Sequence, residues 1–284
     1  MITLGNDVAK WQGDINFDVL KSNTQFVIIK ATEGVGYTDT KFKRNQSEAR
    51  RVRLQLGYYH FARPDKGNSP VAEADYFLNV VGTPKNGELF ALDYECPNQN
   101  QAHVTWCRQF MDRIFKQIGV RPFIYLNQAE IKNFSWQEVI DGNYGLWIAA
   151  YTYDPNDNTF NIGEFPSAAI QQWSNKQKVP GINVDTDGNV FFGSLVILKK
   201  YGYKTPVVPV PPVPTPDIRL SLLDQAGIID EPLTRLAIER YNRWDQLQND
   251  SNNATSELNA LKIKYASLKQ RVKTAVIGAI DSMV

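Results

Sequence analysis

At 284 residues the chain can hold one large domain and an accessory segment, and is too short for three ordinary domains. Hydrophobic residues make up 43% and charged residues 21%, which excludes wholesale disorder, and a net charge of +1 excludes a global field that gathers nucleic acid. No basic segment followed by an apolar run opens the chain, and no apolar run of about 18 residues occurs, so neither an ordinary signal peptide nor a membrane-spanning helix is expected.

In chain order, ITLGNDVA (2–9) predicts a strand that carries Asp7 near its end. FVIIKATE (26–33) predicts the next, with Glu33 at its end, and LQLGYYHFA (54–62) a third, with Tyr59 and His60. ELFALDYE (88–95) places Asp93 and Glu95 at a fourth strand end, and RPFIYLN (121–127) places Tyr125 and Asn127 at a fifth. GLWIAAY (145–151), with Trp147 and Tyr151, and AAIQQW (168–173), with Gln172 and Trp173, complete the series. Segments 40–53, 69–81 and 99–118 read as helices, and the connection 152–167 is short enough that helices are expected to be missing there. Strands alternating with helices predict parallel pairing and an α/β fold: a modified, compact or incomplete (β/α) barrel of the TIM type. A doubly wound open sheet is the alternative, but the Gly-rich turn it usually carries after its first strand is absent.

TPVVPVPPVPTPD (205–217) reads as a polyproline II spacer between a barrel over 1–204 and a tail over 218–284. In the tail, Leu258, Leu261, Tyr265, Leu268 and Val272 follow a heptad seam, and Lys262, Lys264, Lys269, Arg271 and Lys273 form a basic face. A helical tail is expected, serving contact with an anionic membrane or envelope surface, or self-association.

The sharpest chemical feature is LDYE. In a strand, residues two apart share a face, so Asp93 and Glu95 point together with Cβ atoms roughly 6–7 Å apart, and Tyr94 points away. Two carboxyls that close raise one another's pKa, which keeps one protonated near neutral pH as a general acid. Glycoside hydrolysis needs such an acid and a second carboxylate. The structural reading, a pair of surface acids, is weakened by the other acids and aromatics at strand ends. His60 could bond a substrate, bond a carboxylate or be structural, and two histidines are too few for the usual zinc sites, so neither metal nor cofactor is expected. No G-x-S-x-G element supports a serine hydrolase.

DVAKWQGDINF (7–17), IIKATEG (28–34), GYYHFARP (57–64), ALDYE (91–95), LWIAAY (146–151) and IQQWSNKQKVPGINVDTDGNVFFGS (170–194) together resemble glycoside hydrolase family 25, the Chalaropsis-type lysozymes common among phage endolysins. The resemblance covers residues 1 to about 200. It implies cleavage of the β-1,4 bond between N-acetylmuramic acid and N-acetylglucosamine in bacterial peptidoglycan, with Glu95 as proton donor, Asp93 stabilising the developing positive charge, and Asp7 and Asp187 completing the acid cluster. Asp185 is the alternative to Asp187. Tyr59, His60, Tyr125, Trp147, Tyr151 and Trp173 are the candidates for the sugar groove, with the aromatic core as the competing reading. The family usually has Ser where Ala9 stands, and its W-Q-Y motif appears as Gln171-Gln172-Trp173. The expected setting is synthesis in a host cytoplasm and action on the cell wall. The rival is a non-catalytic wall-binding or virion structural protein on the same barrel.

Overall fold

Among the described residues, short and mostly apolar runs form nine strands: β1 (Thr3–Val8), β2 (Phe26–Glu33), β3 (Tyr37–Thr38), β4 (Gln55–Phe61), β5 (Leu89–Asp93), β6 (Phe123–Asn127), β7 (Leu146–Ala149), β8 (Ala168–Gln177) and β9 (Thr186–Phe191). The helices are α1 (Phe17–Leu20), α2 (Phe42–Arg51), α3 (Pro70–Val81), α4 (Ala102–Ile118), α5 (Gln128–Asn133), α6 (Gln137–Asp141) and α7 (Leu195–Tyr201). This computed structural model describes residues 2–204. The chain divides into two units, 1–207 and 208–284, and the expected spacer and helical tail lie outside the described residues.

The sheet runs in the order β1-β9-β8-β7-β6-β5-β4-β2-β3, and β1 also pairs with β2. That extra pairing closes the sheet into a barrel, with β3 as a short antiparallel appendage on β2. Pairing is parallel from β1 through β2, β4, β5, β6 and β7 to β8. The expectation of parallel pairing fails at β9, which is antiparallel to both β8 and β1. Only residues 178–185 separate β8 from β9, too few for a crossover helix, and a short connection permits only an antiparallel return. The 152–167 connection contains no helix or strand.

Local signals set the helix ends. Ser69 caps α3, its hydroxyl accepting from the Ala72 N–H, Pro70 occupies the first turn, and Gly82 ends the helix. On α2, Phe42, Asn45, Gln46 and Ala49 are buried at helical spacing. Each strand is two-sided. One set of side chains packs outward beneath the helices, including Val27, Ile29, Tyr58, Leu92, Ile124 and Ile148. The other set fills the barrel interior, including Phe26, Ile28, Leu89, Ala91, Phe123, Trp147, Ile170 and Phe191. Burying both faces explains why these strands read as near-continuous apolar runs.

Candidate active site

The inward series continues past the apolar core to one mouth of the barrel. Counting in twos gives Asp7 from β1, Lys30 from β2, Tyr59 from β4, Asp93 from β5, Tyr125 and Asn127 from β6, and Gln172 from β8. Antiparallel β9 enters from this mouth, so its first residues, not its last, deliver Asp187 directly opposite Asp7. An acid from near the end of the domain thereby meets one from its start.

Asp7 is buried, and its Oδ1 accepts from Gln172 Nε2 at 2.9 Å and Asn189 Nδ2 at 2.7 Å. Burial raises its pKa, and the Asn189, Gln172 and Asp187 hydrogen bonds oppose the rise. Asp187 is half-buried, and burial, then the Asp7 charge and a hydrogen bond with Asp7, push its carboxyl up to about 8. The hydrogen bond between the two carboxyls favours the ionised form of Asp7 and the protonated form of Asp187. Asp185 lies outside, exposed and paired with Lys178.

Regular β5 geometry ends at Asp93, but the ladder carries on: Ala62 N–H donates to the Asp93 carbonyl at 2.8 Å and Tyr94 N–H to the Tyr125 carbonyl at 3.2 Å. Tyr94 turns outward against Trp136. Asp93 is buried, its Oδ1 has no hydrogen-bond partner, and burial followed by the Glu95 charge holds its pKa well above the usual range. Glu95 is open to solvent on one side and surrounded by protein on the others. Poor solvation, then the charges of Glu130 and Asp7, raise it to about 7, against the pull of Asn127 and Lys30. Tyr59 belongs to the same cluster: burial and the charges of Asp7, Asp93 and Asp187 hold its phenol far above its ordinary value.

Tyr125 and Trp147 form the floor. Their rings meet edge to face at 4.7 Å, and Trp147 also meets Tyr59 edge to face at 6.5 Å. Trp147 is only 2% exposed, so it supports the groove and does not line it. Its Nε1 donates to Asn189 Oδ1 at 2.8 Å, which aims the Asn189 amide at Asp7. Tyr125 and Tyr151 both donate to Gln172 Oε1, at 2.9 and 3.0 Å, and Gln172 passes its own N–H to Asp7. Tyr151 is 44% exposed at the rim, with Tyr153 beside it.

Two sequence candidates fall elsewhere. His60 follows inward Tyr59 and so points outward; it is 0% exposed, bonds Glu73 and Thr32 at 2.7 Å each, and stacks on Phe110. It cannot touch substrate. Trp173 is the extra residue of a bulge, because Gln172 pairs with Asn189 and Ser174 with Gly188. Its ring covers Gly188, whose absent Cβ would sit 2.9 Å from it, on the outer face of β9. Neither lines the groove.

Sequence reasoning also missed residues. Asn189 and Lys30 follow from period-two counting once Asp187 and Ile28 are known to face inward. Glu130 is buried and accepts from Asn127 N–H at 2.6 Å, Asn127 Nδ2 at 3.0 Å and Gln99 Nε2 at 2.7 Å. Asn127 and Glu130 form the capping box of α5, an N-x-x-E signature that was available to be read. Among the described residues, no group of three or more His, Cys, Asp or Glu side chains is arranged to hold a metal ion.

Comparisons with known proteins agree with this architecture. The family profile described as glycosyl hydrolases family 25 matches residues 6–182. Lysozyme M1 of Streptomyces globisporus is 32% identical over 209 residues, covering 67% of this chain and 68% of its own. The N,O-diacetylmuramidase of a Chalaropsis species is 30% identical over 218 residues, covering 69% of this chain and 97% of its own. A family 25 lysozyme from Aspergillus fumigatus superposes with a TM-score of 0.58 at 28% identity, over 72% of this chain and 100% of that one. With the family match covering residues 6–182, which carry Asp7, Asp93 and Glu95, the chain belongs to glycosyl hydrolases family 25 and is a glycoside hydrolase.

Proposed function

We propose that this barrel is a muramidase, cleaving the β-1,4 bond between N-acetylmuramic acid and N-acetylglucosamine in peptidoglycan. The observation that carries the chemistry is the pairing of Glu95, raised to about 7 and open to the mouth, with buried Asp93, whose Oδ1 lacks a partner. The relatives named above, a lysozyme and a muramidase, supply the substrate class.

The Glu95 charge holds Asp93 above the usual carboxylate range, so the two carboxyls resist being ionised together. A substrate acetamido N–H is the donor that Asp93 Oδ1 lacks. Accepting it stabilises Asp93 as the anion, and the proton then resides on Glu95. Glu95 donates that proton to the glycosidic oxygen as the bond to the anomeric carbon breaks. Held by Asp93, the acetamido carbonyl oxygen covers the positive anomeric carbon. Water then attacks that carbon and yields its proton to Glu95, which regenerates the starting state. Asp7 and Asp187 keep negative charge beneath the oxocarbenium-like centre, and the Asp7 charge helps to raise the Glu95 pKa. Digestion of purified peptidoglycan tests the assignment: new reducing-end muramic acid supports it, and cleaved peptide stems with intact glycan contradict it.

The biological setting we propose is that of an endolysin acting on the bacterial wall. Its support is the combination of a wall-lytic barrel, a Pro/Val spacer and a tail sequence with a basic face. Producing the chain in bacteria whose inner membrane is then permeabilised should lyse the culture, and intact cells would argue against it. For the tail we propose contact with an anionic membrane or envelope surface. Liposome binding by the full chain, lost when residues 218–284 are removed, tests this, and a fall in oligomer size on the same truncation would favour self-association.

A further inference from the structure

A cavity of about 430 Å³ lies on the flank of the acid cluster and not over it. Its walls come from the loops after β1, β2 and β4. Lys30, the inward residue of β2, joins the two spaces: it lines the cavity, and its charge acts on Asp93 and Glu95.

The charges there are unevenly satisfied. Glu33 is shared between Lys30, at 2.9 Å, and Arg63, at 2.9 Å. Arg63 is also clamped by both oxygens of Asp65, at 2.8 and 2.9 Å. The Asp39 carboxylate is taken up by the backbone N–H groups of Lys10 and Lys41, at 3.0 and 2.9 Å. That leaves Lys10 and Lys66, which line the cavity and make no ion pair among the described residues. Lys10 Nζ rests 4.6 Å above the Trp11 ring and 5.4 Å from Tyr37. Trp11 itself is 74% exposed, a large apolar face presented to solvent.

The cavity is also rigidly framed. Glu73, fully buried, holds the Arg63 N–H at 3.1 Å and Asn68 Nδ2 at 2.8 Å, and Trp106 Nε1 donates to the Asn68 carbonyl at 2.8 Å. Gly34 has φ +52, and a Cβ there would press on Asn68 and Arg63 at 3.2 and 3.3 Å. A preformed site of this size suits a small organic group and is far larger than an ion requires.

The geometry points to a subsite for the acidic peptide stem of the muramic acid, with stem carboxylates meeting Lys10 and Lys66 and an apolar stem side chain lying on Trp11. This rests on the muramidase reading. The glycan backbone is uncharged, so two unpaired ammonium groups gain nothing from it. The substrate's anions sit on the lactyl-linked stem. The central acids repel those anions, and the adjoining cationic flank is where they can turn.

Kinetics on soluble glycan oligomers test this, using one preparation with intact stems and the same oligomers after an amidase has removed them and the lactyl carboxylates so freed have been capped as neutral amides. Neither preparation carries wall phosphate, so any effect belongs to stem carboxylates. For the double variant Lys10→Gln/Lys66→Gln, KM on stem-bearing oligomers should rise roughly five- to tenfold with kcat retained, as two partly exposed ion pairs allow. On stripped oligomers it should match the wild type. Added salt should raise the wild-type KM on stem-bearing oligomers alone. Equal losses on both substrates, or a wild type indifferent to the stems, would overturn the subsite and leave the muramidase reading intact. A wild type that releases reducing ends from neither preparation would overturn both. Lys66→Gln alone, at an exposed position, keeps the test valid if the change at Lys10 disturbs its loop.

Discussion

A general acid must be protonated to act, so the pH dependence of turnover tests the central assignment. With Glu95 raised to about 7, roughly nine-tenths of the enzyme carries the proton at pH 6 and one-tenth at pH 8. The ratio of kcat/KM between those values should be about tenfold, with a plateau below pH 6. A carboxyl with an ordinary pKa near 4.5 would already be ionised at pH 6. Its activity would fall about tenfold per pH unit, about a hundredfold over the same interval, with no plateau. The assay is reducing-end release from stem-bearing glycan oligomers between pH 4.5 and 8.5. Glu95→Gln cannot donate, and its activity should drop by about 10²–10⁴-fold and lose the limb near 7. A wild-type limb centred near 4.5, or a Gln variant that keeps both rate and limb, would refute the assignment.

Three further outcomes follow from the same contacts. Glu130→Gln removes the largest charge acting on Glu95, so the basic limb should move to lower pH, measured in the same profile. Asp7, Asp93, Glu95 and Asp187 all have raised pKa values, so the folded protein holds protons that the unfolded chain releases from about pH 4 upward. Stability should therefore fall as pH rises from about 5 to 8, and Asp187→Asn should narrow the difference between melting temperatures at those two values. His60→Phe strips the buried Glu73 carboxylate of one partner and Thr32 of another, at a cost of about 2–4 kcal/mol in denaturant unfolding. KM should be unchanged below the transition, because His60 faces away from the mouth; a selective rise in KM would reinstate a substrate role.

Much of the barrel was legible from pattern. The seven strands expected from 2–9 to 168–173 are all present, because side-chain alternation and apolar runs are local properties that survive in one dimension. Asp93 and Glu95 share a face for the same reason. β9 was not legible: TDGNVF is polar at its start, and its strand character comes from closing the gap between β8 and β1. The roles of His60 and Trp173 were obscured by a one-residue question, since a single step along a strand, or one bulge, moves a side chain from the substrate face to the opposite one.

Local pattern is enough to gather acids and aromatics at strand ends, and to make two carboxyls two residues apart perturb one another. Which of these groups act together depends on how the strands close into the barrel. Asp7 and Asp187 are 180 residues apart in the chain and meet only because β9 runs backward into the barrel. The properties of Glu95 then follow from neighbours on three other elements, Asp7, Asn127 and Glu130, whose charges and dipoles act through space regardless of chain order.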